Sequence, residues 1–148
     1  MKEKPVDFQL FTKESPRQIL REDFKSISEL PIKGGWGYDI ESAVIIDKKD
    51  PIVVPGLPFD GISIEYVFVD KRLFEELIIF RPNGQKFIQI EKALKQQRTL
   101  AVDGVQYDHL IFDVTAIPES LEFSAPPDKE AGRIHFISEF WFDISSFY

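Results

Sequence analysis

The sequence predicts an α+β domain: a mostly antiparallel sheet of about six strands accompanied by about two helices. Three observations carry this. Apolar and polar residues alternate through the late segments, the period-two pattern of half-buried strands. Two stretches instead repeat apolar residues at helical spacing. Finally, Asp103-Gly104 lies between two apolar runs and is a strong hairpin signal. Strands and helices come in mixed order, which favours an antiparallel over a parallel sheet. If both helical stretches were extended, an all-β, barrel-like arrangement would be the alternative.

Taken in order, Val6, Phe8 and Leu10 alternate with Asp7 and Gln9 as in a half-buried strand. Ser15-Pro16-Arg17-Gln18 reads as a helix start: the Ser15 hydroxyl accepts an orphan N–H, Pro16 suits the first turn, and Gln18 completes a capping box. Leu20, Phe24 and Ile27 form its apolar stripe, and Pro31 with Gly34-Gly35 ends it. Residues 39–43 fit one helical turn before a short strand at 44–46. Residues 47–60 contain Pro51, Pro55, Pro58 and Gly56 and form a loop. In residues 62–69, Ile62, Ile64, Tyr66 and Phe68 make the core face of a strand, with Val67 and Val69 behind, as in a central strand. Asp70 caps a turn through Leu73 and Phe74, and a strand follows over 76–81. Pro82-Asn83-Gly84 is a turn. Phe87, Ile90 and Leu94, with a Glu91–Lys95 pair, predict a helix over 85–97, residues 87–90 being open to an extended alternative. Strands at 99–102 and 105–115 flank the hairpin turn, Pro118 closes the second, and 126–132 is a loop. The last strand covers 133–143, with Ile134, Phe136, Phe140 and Phe142 facing one way and Arg133, His135, Glu139 and Trp141 the other. Phe147 and Tyr148 dock onto the domain, since an aromatic tail in water promotes aggregation.

Composition narrows the function. The 148 residues suffice for one core, so residues 1–148 form a single domain. With no cysteine, disulfides, thiolate metal sites and cysteine nucleophiles are excluded. Lys and Arg total 18 against 25 Asp and Glu, a formal charge of -7, which argues against a nucleic-acid partner. No apolar run has the length of a membrane span, and the first residues lack the apolar centre of a signal peptide, so no membrane partner and a cytoplasmic setting are expected.

Gly34-Gly-Trp-Gly-Tyr-Asp39 resembles a phosphate loop only superficially: Ile40 stands where a dinucleotide fingerprint needs a small residue, and no Walker-type lysine follows. Its glycines allow a turn, and Trp36 packs as a lid on the core edge; alternatively Trp36 and Tyr38 contact a small-molecule ligand or a partner. The chain has two histidines. Alternation puts His109 and Asp113 on one face of residues 105–115 and His135 and Glu139 on one face of the last strand. If those strands pair, His109, Asp113, His135 and Glu139 project from one sheet face, as an acid–base group or a divalent-metal site; the alternative is an ordinary polar sheet face. No cofactor and no dedicated metal motif is indicated. Glu75-Glu76 and Glu22-Asp23 read as solvated, and no nucleophile elbow or calcium loop is present. Trp141, off the phenylalanine face, either underlies a helix or suits a protein–protein interface. The leading expectation is therefore an acidic binding or accessory domain acting on another protein or on itself. A His/carboxylate enzyme and a small-molecule binder are the alternatives.

Overall fold

The structure, a computed structural model, describes residues 8–25, 29–122 and 125–148. Five strands form one open sheet in the order β1-β2-β5-β4-β3: β1 Ile32–Gly34, β2 Val44–Ile46, β3 Phe87–Val102, β4 Val105–Pro118 and β5 Ile134–Asp143. Three pairings are antiparallel, and β2–β5 is parallel. The sheet ends in free edges at β1 and β3, so the barrel-like alternative does not hold. Helices α1 (Pro16–Asp23), α2 (Gly61–Phe74) and α3 (Pro126–Ala131) complete the α+β domain, and no described helix is long and apolar enough to cross a membrane.

Local chemistry sets most boundaries as expected. Ser15 Oγ accepts from Gln18 N at 3.2 Å at the start of α1, but the Gln18 side chain turns away to Glu22 and the box stays half made. Asp39 and Ser42 cap one 3₁₀ turn over Ile40–Ser42, directly before β2. Asp103 and Gly104 both adopt positive φ, 52° and 82°, the backbone of a tight turn between two right-twisted strands. Val6, Asp7 and Ile27 lie outside the described residues. Residues 8–10 form no strand, yet Phe8 and Leu10 are buried and Gln9 exposed, so the alternation survives as packing.

Five expectations are corrected. Residues 62–69 are not a strand but part of α2, opened by Asp60, whose carboxylate accepts from Ser63 N and Oγ at 3.0 and 2.7 Å. The strand placed at 76–81 is a wider helical turn, Glu75–Ile79, that continues α2. The helix placed at 85–97 is the first half of β3. Two irregularities in its pairing, between Ile88 and Glu91 and between Leu94 and Gln96, shift which residues face the core. Phe87 and Ile90 therefore both pack on the core at a spacing of three, which imitates a helix. Finally, β1 and the short α3 occupy segments read as a helix stop and a loop.

The core is the layer between α1, α2 and one face of the sheet. Leu110, Phe112, Val114 and Ala116 of β4 and Phe140 and Phe142 of β5 meet Phe68, Val69, Leu73 and Leu77 from α2 and its continuation, with Trp36 buried among them. Burial of this apolar surface is the main stabilising contribution. Phe147 docks as expected, 5.3 Å from Phe59 between ring centroids, while Tyr148 stays exposed.

Candidate functional site

The sheet face opposite the helices carries the four His/carboxylate residues. Strand alternation turns Tyr107, His109, Ile111 and Asp113 of β4 and His135, Ile137, Glu139 and Trp141 of β5 to that side, and none of Tyr107, Ile111, Ile137 and Trp141 belongs to the apolar core. The four residues share the face but not a site. Opposite His109 stands Trp141, and opposite His135 stands Thr115, six positions away along β4, or about 20 Å. His109 Nε2 lies 2.7 Å from Glu139 Oε1, and His135 Nε2 lies 3.3 Å from Asp113 Oδ1. Each pair offers two ligands, and among the described residues no group of three His, Cys, Asp or Glu comes together to hold a metal ion.

The His109 end is the more organised. Its ring stacks on Trp141, centroids 3.9 Å apart and planes 17° apart, and Tyr107 meets Trp141 edge-on at 6.0 Å. Arg98 Nε donates to His109 Nδ1 at 3.2 Å, which assigns the ring proton to Nε2 and points it at Glu139. The imidazole is buried, whereas Glu139 is half exposed. Burial, and then the charges of Asp143, Asp103 and Glu41, raise the Tyr107 hydroxyl above its ordinary value. Aromatic rings and carboxylates thus meet at one corner of the sheet.

A second centre lies inside, where the sheet is incomplete. β2 pairs with β5 only at Val44↔Phe142 and Ile45↔Asp143. Beside the earlier part of β5, fully buried Arg72 fills the space that a strand would take. It donates to Trp36 O at 3.1 Å, Ser138 Oγ at 2.7 Å and Glu139 O at 2.8 Å, and its Nε pairs with Glu76 Oε2 at 3.1 Å. The guanidinium lies against the Phe140 and Tyr38 rings, 3.6 and 4.1 Å from their centroids. Tyr38 accepts from Leu10 N at 3.0 Å and donates to Glu76 Oε2. Burial raises both the Tyr38 hydroxyl and the Glu76 carboxyl, with Arg72 opposing. Tyr38, Arg72, Glu76 and Ser138 line a cavity of about 140 Å³ with Phe8 and Phe136. Glu76 Oε1 is buried without a hydrogen-bond partner among the described residues.

Strand alternation puts His109, Asp113, His135 and Glu139 on one face, and the pairing of His109 with Glu139 and of His135 with Asp113 comes from the register. Of Trp36 and Tyr38, expected over a pocket, Tyr38 lines a cavity. Trp36 is structural: buried, with Nε1 donating to Thr12 Oγ1 at 3.1 Å. Glu75 and Glu76, read as solvated, are both buried. Glu65, Lys71 and Arg72 are buried too, and residue type alone does not mark a charged side chain as interior. One signal was present. Gly61, Glu65, Phe68, Val69, Arg72, Leu73, Glu76 and Leu77 recur at helical spacing, a stripe visible once charge is ignored. In comparisons with known proteins, no family model, no curated protein and no solved structure matches the chain, so its function rests on its own geometry.

Proposed function

We propose that the protein is a binding module, cytoplasmic in setting, that docks a basic segment of another protein on the open sheet face around Trp141. The observation that carries this is the joining of rings and negative charge at one corner: Trp141 stacked on His109 and edged by Tyr107, with Glu139, Asp143, Asp103 and Glu41 around them and Arg98 as the opposing cation. Tryptophan and tyrosine rings with a polar rim are the usual anchors of an interface, and an arginine or lysine stem laid on Trp141 would meet both the ring face and the carboxylates. The acidic balance of the chain adds steering toward a positive partner.

Affinity capture from the source organism, repeated with Trp141→Ala and with Glu139→Lys/Asp143→Lys, tests this. A basic protein held by the wild type, lost from both variants and released by salt, is the expected result. Failure to capture one, capture unchanged by the variants, or a homodimer broken by Trp141→Ala overturns it.

A second reading, a small polar ligand beside Tyr38, is favoured by the lone Glu76 Oε1 in its cavity. It predicts a thermal shift with small hydrogen-bond donors that disappears in Tyr38→Phe; a donor panel without any shift dismisses it.

A further inference from the structure

Between α1 and the last turn of α2 lies another cavity, of about 250 Å³, lined by Arg17, Arg21, Lys25, Lys71, Phe24 and Glu29 among others. Four cations meet here in a chain of formal charge -7. Two carboxylates answer them: Glu29 accepts from Arg17 Nε at 2.5 Å and from Arg21 Nη2 at 3.0 Å, and Asp50 behind binds Arg17. The cavity keeps an excess of positive charge, and the Arg21 side chain is still 53% exposed.

Lys71 differs from the other three cations. It is only 6% exposed, its Nζ lies 4.1 Å from the Phe24 ring centroid, and among the described residues that nitrogen makes no hydrogen bond and no ion pair. Burial lowers its ammonium below the ordinary lysine range, against the charge of Glu75 one helical turn on. Glu75 is buried beside Asp23; burial, and then Asp23, push its carboxyl up to about 9. A partly buried amine at the wall of a cavity is a setting in which lysine becomes a nucleophile, and a neutral carboxyl one turn away is a proton source.

We propose that Lys71 is a nucleophilic amine and that this cavity takes a small oxo acid, a carbonyl compound bearing a carboxylate, as an imine on Nζ. The Nζ lone pair forms a bond to the carbonyl carbon while the C=O π pair moves to oxygen. Proton transfer from nitrogen to that oxygen gives a carbinolamine. A proton delivered to its hydroxyl, with Glu75 as the nearby acid, lets water leave as C=N forms; loss of the remaining N–H proton gives the neutral imine. No electrons are gained or lost. Arg21 and Lys25 answer the ligand's carboxylate. This site is independent of the sheet face around Trp141.

Brief exposure of the intact protein to glyoxylate with cyanoborohydride at neutral pH reduces any imine to a stable secondary amine, located by peptide mapping. Lys71 is expected to label about tenfold faster than exposed Lys33, Lys48 and Lys49, as an activated lysine should. Acetaldehyde, which has no carboxylate, and the surface variant Arg21→Gln with glyoxylate should both lose most of that preference. Labelling of Lys71 no faster than that of Lys48 overturns the nucleophile. An undiminished preference with acetaldehyde overturns the oxo acid as the ligand class.

Discussion

Glu65→Gln tests whether α2 is seated on the sheet through a proton. The Glu65 carboxyl is fully buried and faces Asp108. Two ionised carboxylates are acceptors only, and neither Glu65 oxygen has a donor among the described residues, so the contact becomes a hydrogen bond only when a proton sits between the two groups. Burial, and then Asp108, push the Glu65 carboxyl from 4.5 up to about 9. The folded state therefore keeps a proton that the unfolded chain releases. Stability is fully present below 4.5, falls as pH rises from 4.5 to about 9, and levels off above. At pH 7, about 2.5 units above the unfolded value and at about 1.36 kcal/mol per unit, the loss is about 3 kcal/mol. A glutamine brings its own N–H to Asp108, whose Oδ1 keeps the bond from Thr99 Oγ1 at 2.5 Å. The variant should match the wild type near pH 4.5, gain up to about 3 kcal/mol at pH 7, and show a stability profile flatter by one proton. Urea unfolding followed by tryptophan emission at several pH values measures this. A variant less stable than wild type at pH 7, with the wild-type pH slope intact, would refute the shared proton.

Three further outcomes follow from the packing. Glu75→Gln should flatten the same pH window by a second proton in the same titration, because the Glu75 carboxyl also stands near 9 and faces Asp23. Arg72→Met should cost about 3–5 kcal/mol in chemical denaturation by stranding Glu76, and the double variant with Glu76→Leu should recover much of it. Gly61→Ala places a Cβ 2.3 Å from the Phe147 ring, so it should lower the melting temperature by an overpacking cost of about 1–3 kcal/mol despite alanine's better helix propensity, and Phe147→Leu should relieve it.

How far the sequence could be read depended on whether local chemistry and tertiary burial agreed. They agree in β4 and β5, where Leu110, Phe112, Val114 and Ala116 and Ile134, Phe136, Phe140 and Phe142 alternate with mostly polar residues, so the faces of His109, Asp113, His135 and Glu139 are legible in the sequence. What alternation cannot supply is register, and the register separates the two histidines by six positions. In β3 the two pairing irregularities reset the alternation twice, and a strand with its faces shifted in this way shows the spacing of a helix. In α2 the error ran the other way. Exposed Ile62 and Val67 advertised a strand, while the buried side of the helix was written partly in charge.

That inversion is concentrated in one element. Glu65, Lys71, Arg72, Glu75 and Glu76 are five charged residues buried along α2 and its continuation, where leucine and isoleucine would serve a scaffold at lower cost. Arg72 is the one that is nearly satisfied, and it closes the gap that short β2 leaves beside β5. Among the described residues the other four are not: Glu65 and Glu75 face carboxylates, Glu76 keeps one oxygen unpartnered, and Lys71 rests on a ring. Interior groups left this way oppose folding, and sequences that break the rules of burial do so chiefly where function requires it. Replacing Lys71 by methionine separates the two possibilities. Met keeps the stem that covers Phe24 and removes the amine, so the fold should gain stability while the fast adduct with glyoxylate disappears. A methionine variant that loses stability would make Lys71 a structural residue, its ammonium held by the Phe24 ring and Glu75.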